Sequence, residues 1–185
     1  MSRLPHVSRE SLSPEDQAHY DYVVGSRGEV RGPFLILLNS PDVAERIAHV
    51  GTYIRFENTL DPVLRELAIL TVAREWNCQY EWTAHQPIAE SEGARPEAIA
   101  AIRDRTAPDG LIDAEAMVFN YVSALLEKGR IPDDVFQKAH DALGARTVTD
   151  LTATAGYYSM LACALNAAQV TPEEGRPWLL PNAEY

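Results

Sequence analysis

The chain is short of positive charge. Its 185 residues carry 16 lysines and arginines against 27 aspartates and glutamates, a net charge of −11. A nucleic-acid or anionic-membrane binder needs a concentrated basic patch, and no run of this sequence supplies one. Cysteine is scarce too: Cys78 and Cys163 are the two present, too few for a disulfide framework and each set in an apolar, helix-like stretch. Long apolar runs are missing. The most apolar stretch, near 151–170, is interrupted by Thr152, Thr154, Tyr157, Tyr158, Ser159 and Asn166, and reads as a buried helix, not a membrane span. The first ten residues show no apolar signal core, so a cytoplasmic protein is expected. There is no glycine-rich phosphate loop, no Gly-x-Ser-x-Gly elbow and no nucleotide fingerprint. Strand-like alternation is almost absent as well, which leaves helix as the dominant element.

The remaining 46% apolar and 23% charged residues suit one globular domain over 1–185, large enough to bury a core without staples. Helix starts are marked by a capping residue followed by proline: Ser13-Pro14, Ser40-Pro41 and Asp61-Pro62. These predict a first helix from Ser13 toward Gly25, and a second from Ser40 with Val43, Ile47, Val50, Tyr53 and Ile54 as its apolar positions. A third helix covers Val63 to about Trp76, and Asn77 caps a fourth that starts at Cys78 and ends at Gly93. Shorter signals predict a helix from Arg95-Pro96 to Arg103, one capped by Asp113 up to Lys128, one from Pro132 to Gly144, and a last one from Thr147–Thr149 to about Gln169. Residues 171–185 read as an extended tail whose Trp178-Leu179-Leu180 can pack on the body or on a neighbouring subunit. The expected fold class is all-α.

Chemistry concentrates in residues 66–85. Cys78, Glu81 and His85 lie at i, i+3 and i+7, which places them on one stripe of a helix. A thiol near a helix N-terminus feels the dipole and the free amides, which lower a cysteine pKa; a free cysteine is equally a small buried hydrophobe. A carboxylate four residues from an imidazole orients it and raises its basicity, a common preparation for general acid/base work; the alternative is a solvent-facing helix pair. The apolar and aromatic neighbours Tyr80, Trp82, Ala84 and Ile88 favour the buried arrangement. Glu66 lies one helix earlier. Arg65 and Arg74 can each bind a carboxylate bidentately, or serve as ordinary salt-bridged residues. No second group of ligands accompanies the stripe, and His49 and His140 are isolated, so no metal site is expected.

The pattern Glu66, eleven residues, Cys78-x-x-Glu81-x-x-x-His85 resembles the carboxymuconolactone decarboxylase family within the AhpD-like superfamily. Arg31-Gly32-Pro33-Phe34 with Leu37–Pro41 resembles that family's entry segment, Leu64–Leu70 its leading core helix and Gly156–Ala162 its closing helix, so the likeness spans about 30–170. It implies an AhpD-like helical domain with a helix-hairpin core, assembled into homotrimers or homohexamers, without cofactor or metal. It also implies loss of CO2 from a lactone acid in aromatic-compound breakdown. The alkylhydroperoxidase branch needs Cys-x-x-Cys for its thiol–disulfide cycle, and Glu81 stands where its second cysteine would be. The decarboxylase branch is therefore the better match, with His85 as proton donor, Glu81 orienting it, Glu66 behind them, and Arg65, Arg74 and Tyr80 facing substrate. The alternatives are an antioxidant (peroxiredoxin-like) thiol enzyme using Cys78, and a lactone hydrolase or isomerase on the same scaffold.

Overall fold

The computed structural model describes residues 2–172 and Leu180; the predicted tail segment Trp178-Leu179 lies outside the described residues. Among these, all regular structure is helical. A 3-10 turn at Arg9–Ser11 leads into α1 (Gln17–Arg27), the one-turn α2 (Phe34–Leu37) and α3 (Pro41–Thr52), which runs on as a π-helical turn over Tyr53–Glu57. Then follow α4 (Pro62–Glu75), α5 (Gln79–Glu92), α6 (Pro96–Arg103), α7 (Asp113–Lys128) and α8 (Asp133–Ala168).

The chain divides into two compact units. One is Met1–Asn58 with Cys163–Thr171. Its core joins Val7, Val23, Phe34, Leu38, Ala44 and Ala48, and the Arg3 N–H bonds the Ala168 carbonyl at 2.7 Å. The other is Thr59–Ala162 with Pro172–Tyr185. Here α4 packs against α5, α6 and α7, and every residue from Glu66 to Arg74 is buried. A helix covered all round needs no amphipathic pattern, and α4 buries Glu66, Thr71 and Arg74 along with its apolar residues.

The Asp61 side chain accepts from the Val63 and Leu64 amides (3.0 and 3.2 Å), with Pro62 at the first helical position, so α4 starts where expected. Its end differs from expectation by one residue. Asn77 is not the cap of α5; it takes a positive φ of 47°, a conformation asparagine tolerates, and Cys78 is the N-cap. The Cys78 amide closes the turn onto the Ala73 carbonyl at 2.8 Å. Gly93, at φ 96°, ends α5 as expected.

Several other boundaries shift. Ser13 accepts from the Asp16 amide and caps a turn, but regular helix begins only at Gln17. Asp113 is the first residue of α7, not its cap, and the Glu115 carboxylate takes the Ile112 amide at 2.9 Å. The two helices predicted on either side of Gly144 are both present, and they meet directly at a kink where Gly144 (φ 75°, ψ 165°) breaks the helix. On α3 the buried positions are Ala44, Ala48 and Gly51, whereas Val43 and Val50, two of the apolar positions that marked the helix, are 45% and 49% exposed. Helical spacing located the helix, and the smaller residues one position on form its packed face because they allow closer approach to α1.

Candidate functional site

The α4–α5 hairpin sets the site, and all of it lies within the second unit. A short link at Trp76–Cys78 turns α5 back along α4, which brings His85 to Glu66 across 19 residues of sequence. His85 Nδ1 lies 2.7 Å from Glu66 Oε2. An ionised carboxylate can only accept, so the proton of this bond sits on Nδ1 and Nε2 is left to address other groups. Glu81 Oε2 is 3.5 Å from Nε2, a long contact compared with the Glu66 bond. Relative side-chain exposure is 6% for His85, 4% for Glu66 and 5% for Glu81. An imidazole between two carboxylates, in so dry a place, is held by much stronger electrostatics than a surface pair.

Glu66 is thus the closer carboxylate, in the orienting role the sequence reading gave to Glu81, and Glu81 faces the other nitrogen. Arg65 is at the site: its Nε lies 3.5 Å from Glu66 Oε1, and its side chain is largely buried. Arg74 is occupied elsewhere. Its Nε donates to the Arg103 carbonyl at 2.6 Å and a terminal nitrogen donates to the Asn77 side-chain oxygen. It ties the ends of α4 and α6 together, so the arginine predicted as a second substrate anchor is a structural strut. Burial and the neighbouring Arg105 charge lower its pKa.

Cys78 is fully buried at the N-cap of α5, one turn before Glu81, and Cys163 is exposed; neither is in a disulfide. Tyr80 is partly exposed on the first turn of α5. Among the described residues no cluster of histidine, cysteine and carboxylate side chains is grouped to hold a metal ion, and no helix is long and apolar enough to cross a membrane.

Two neighbours of the stripe escaped the sequence reading. The ring of Tyr158, on α8, stands perpendicular to the His85 imidazole (86°) with centroids 4.9 Å apart. Its segment stood out as an apolar helix and as a likeness to the family's closing helix, but nothing in the spacing ties residue 158 to residue 85. Gln79, fully buried, bonds the Leu180 carbonyl at 2.7 Å and the Leu180 amide at 3.1 Å. Leu180 is thereby seated in a core with Leu67, Leu70, Trp82, Ala98 and Ile102.

The sequence model of the carboxymuconolactone decarboxylase family matches residues 41–124, a span that holds α3 to most of α7 and every polar group of the site. Residues 41–124 are thus similar to the carboxymuconolactone decarboxylase family. No curated protein sequence matches the chain. Among solved structures, the fold is similar to an uncharacterized peroxidase-related protein from Ralstonia eutropha JMP134 with an alkylhydroperoxidase AhpD core. The TM-score is 0.77 and the identity 15%, over 94% of this chain and 93% of that one. It is also similar to a cysteine-to-alanine variant of the debrominase Bmp8 in complex with 2,3,4-tribromopyrrole (TM-score 0.73, 13% identity, 92% and 91% covered). A third likeness is an uncharacterized peroxidase-related protein from Silicibacter sp. TM1040 (TM-score 0.69, 16% identity, 92% and 90% covered). At such identities the likenesses establish the AhpD-like fold and leave chemistry to the site itself.

Proposed function

We propose that this chain is a carboxymuconolactone decarboxylase-like acid–base enzyme whose mobile proton is carried by His85, and that it decarboxylates a lactone acid or a related small carboxylic acid. One observation carries the reading: the buried 2.7 Å bond from His85 Nδ1 to Glu66, which points Nε2 away toward Glu81. With Nδ1 occupied, the proton that moves is the one on Nε2.

The chemistry asks little else of the protein. The carbon–carboxylate bond breaks, its electron pair moves into the adjoining carbonyl as an enolate, and CO2 leaves. His85 Nε2 then delivers its proton to the carbon, and Glu81 is the group beside Nε2 through which that proton is restored. Arg65 is the cation available for the substrate carboxylate. Glu66 stabilises the imidazolium before transfer and keeps the same tautomer afterwards. A lactone hydrolase or isomerase draws on the same two groups, and the product formed separates these reactions.

The thiol reading has one specific support: Cys78 stands at the N-cap of α5, where the helix dipole favours a thiolate. Against it are full burial of Cys78 and a glutamate at the position where the alkylhydroperoxidase resemblance requires the partner cysteine. The test is to follow CO2 release from small lactone acids alongside loss of organic hydroperoxide with a dithiol reductant. The acid–base reading expects CO2 release that disappears in His85→Ala; peroxide consumption that disappears in Cys78→Ser would replace it with the thiol reading.

A further inference from the structure

Glu66 fixes one atom of His85, and one atom does not fix a ring. The terminal torsion of a histidine is broad, so a ring bonded at Nδ1 alone can still tilt about that bond and swing Nε2 through a wide arc. The 3.5 Å contact to Glu81 is too long to arrest this motion. A third contact comes from a different helix. The Tyr158 ring meets the imidazole at 86° with centroids 4.9 Å apart, within the range of a favourable perpendicular aromatic pair. It is itself backed by Tyr157, whose ring is perpendicular to it (80°) at 5.4 Å. Tyr158 is 2% exposed and Tyr157 7%, so neither ring has room to move aside.

We propose that Tyr158 is the positioning residue of the site: its ring holds the plane of His85 so that Nδ1 stays on Glu66 and Nε2 keeps one direction. The proposal rests on the acid–base reading for its catalytic meaning, but the positioning itself is a property of the protein without substrate. Tyr158 is not one of the pattern residues Glu66, Cys78, Glu81 and His85, and it lies beyond the matched residues 41–124. The contact with His85 is made by the ring, so a flexible apolar chain of similar size should not serve in its place.

The experiment is long-range 1H–15N NMR of the full chain labelled with 15N-histidine, with His85 assigned by its loss in His85→Gln. The wild type should show one fixed pair of ring-nitrogen shifts with a slowly exchanging Nδ1 proton. Tyr158→Met should show nitrogen shifts averaged between tautomers and an Nδ1 proton exchanging about tenfold faster or more. An unchanged His85 spectrum in Tyr158→Met, with the amide fingerprint of the rest of the protein intact, overturns the proposal. If Tyr158→Met does not fold, Tyr157→Leu removes only the backing ring: a smaller shift in the same direction supports the proposal and none overturns it. CO2 release measured on the same samples separates the two claims. A disturbed His85 spectrum with turnover still within about twofold of wild type leaves Tyr158 as the positioning residue and removes His85 from the reaction.

Discussion

Among the described residues, each unit has a histidine of one helix set against a glutamate of another. In the first, His19 of α1 meets Glu45 of α3, with relative side-chain exposures of 25% and 36%. In the second, His85 of α5 meets Glu66 of α4, with 6% and 4%. Each is an imidazole nitrogen against a carboxylate across two helices. The first pair is half-buried and open to solvent on one side, so its worth is partly screened. The buried pair has a second carboxylate at the other nitrogen and an aromatic ring against its plane. Chemical identity is thus shared, and environment divides a structural contact from a candidate active site.

The largest expected effect follows from that division. His85→Ala and Glu66→Gln should each reduce turnover about 100-fold or more, whereas His19→Ala and Glu45→Gln should leave it unchanged; steady-state kinetics on the four variants checks this. A comparable loss in the His19 and Glu45 variants would break the comparison outright. Next comes a polar pair that is buried but has no part in chemistry. Gln79→Ala strands the buried amide and carbonyl of Leu180, and should cost about 2 kcal/mol in urea unfolding with the site chemistry intact.

An intermediate case is Arg95 with Glu115, where the acid is buried and the base a third exposed. Burial alone would push the Glu115 carboxyl up, but the Arg95 guanidinium, on both of its oxygens, and the Ile112 amide hold it below the usual value. A carboxyl depressed in the folded state contributes stability that is complete above its unfolded pKa and is lost as pH falls through the folded one. Glu115→Gln should therefore cost about 1 kcal/mol near neutrality, after allowance for solvent at Arg95, and flatten the acid side of the stability curve. Smallest is Glu45→Gln, expected within about 0.5 kcal/mol of wild type by thermal melting.

Much of this was legible in the sequence because it is local. Asp61-Pro62 and Gly93 mark helix ends through backbone hydrogen bonding within a few residues, and the i, i+3, i+7 stripe follows from helical geometry alone. What was not legible depends on pairs far apart in the chain. Glu81, four residues from His85, was the evident partner; Glu66, 19 residues away, is the closer one because the α4–α5 turn sets their register. Arg65 and Arg74 look alike in sequence, yet one lies beside Glu66 and the other binds the Arg103 carbonyl. Val43 and Val50 show the limit of periodicity, which finds a helix but not which of two adjacent faces a neighbour covers.

The central claim is that the proton on His85, held by Glu66, does the chemistry and the Cys78 thiol does not. The most direct test compares Glu66→Gln with Cys78→Ser in one assay of CO2 release from carboxymuconolactone. The account predicts turnover within about threefold of wild type for Cys78→Ser and a loss of about 100-fold or more for Glu66→Gln. Loss of turnover in Cys78→Ser with Glu66→Gln unaffected would contradict it.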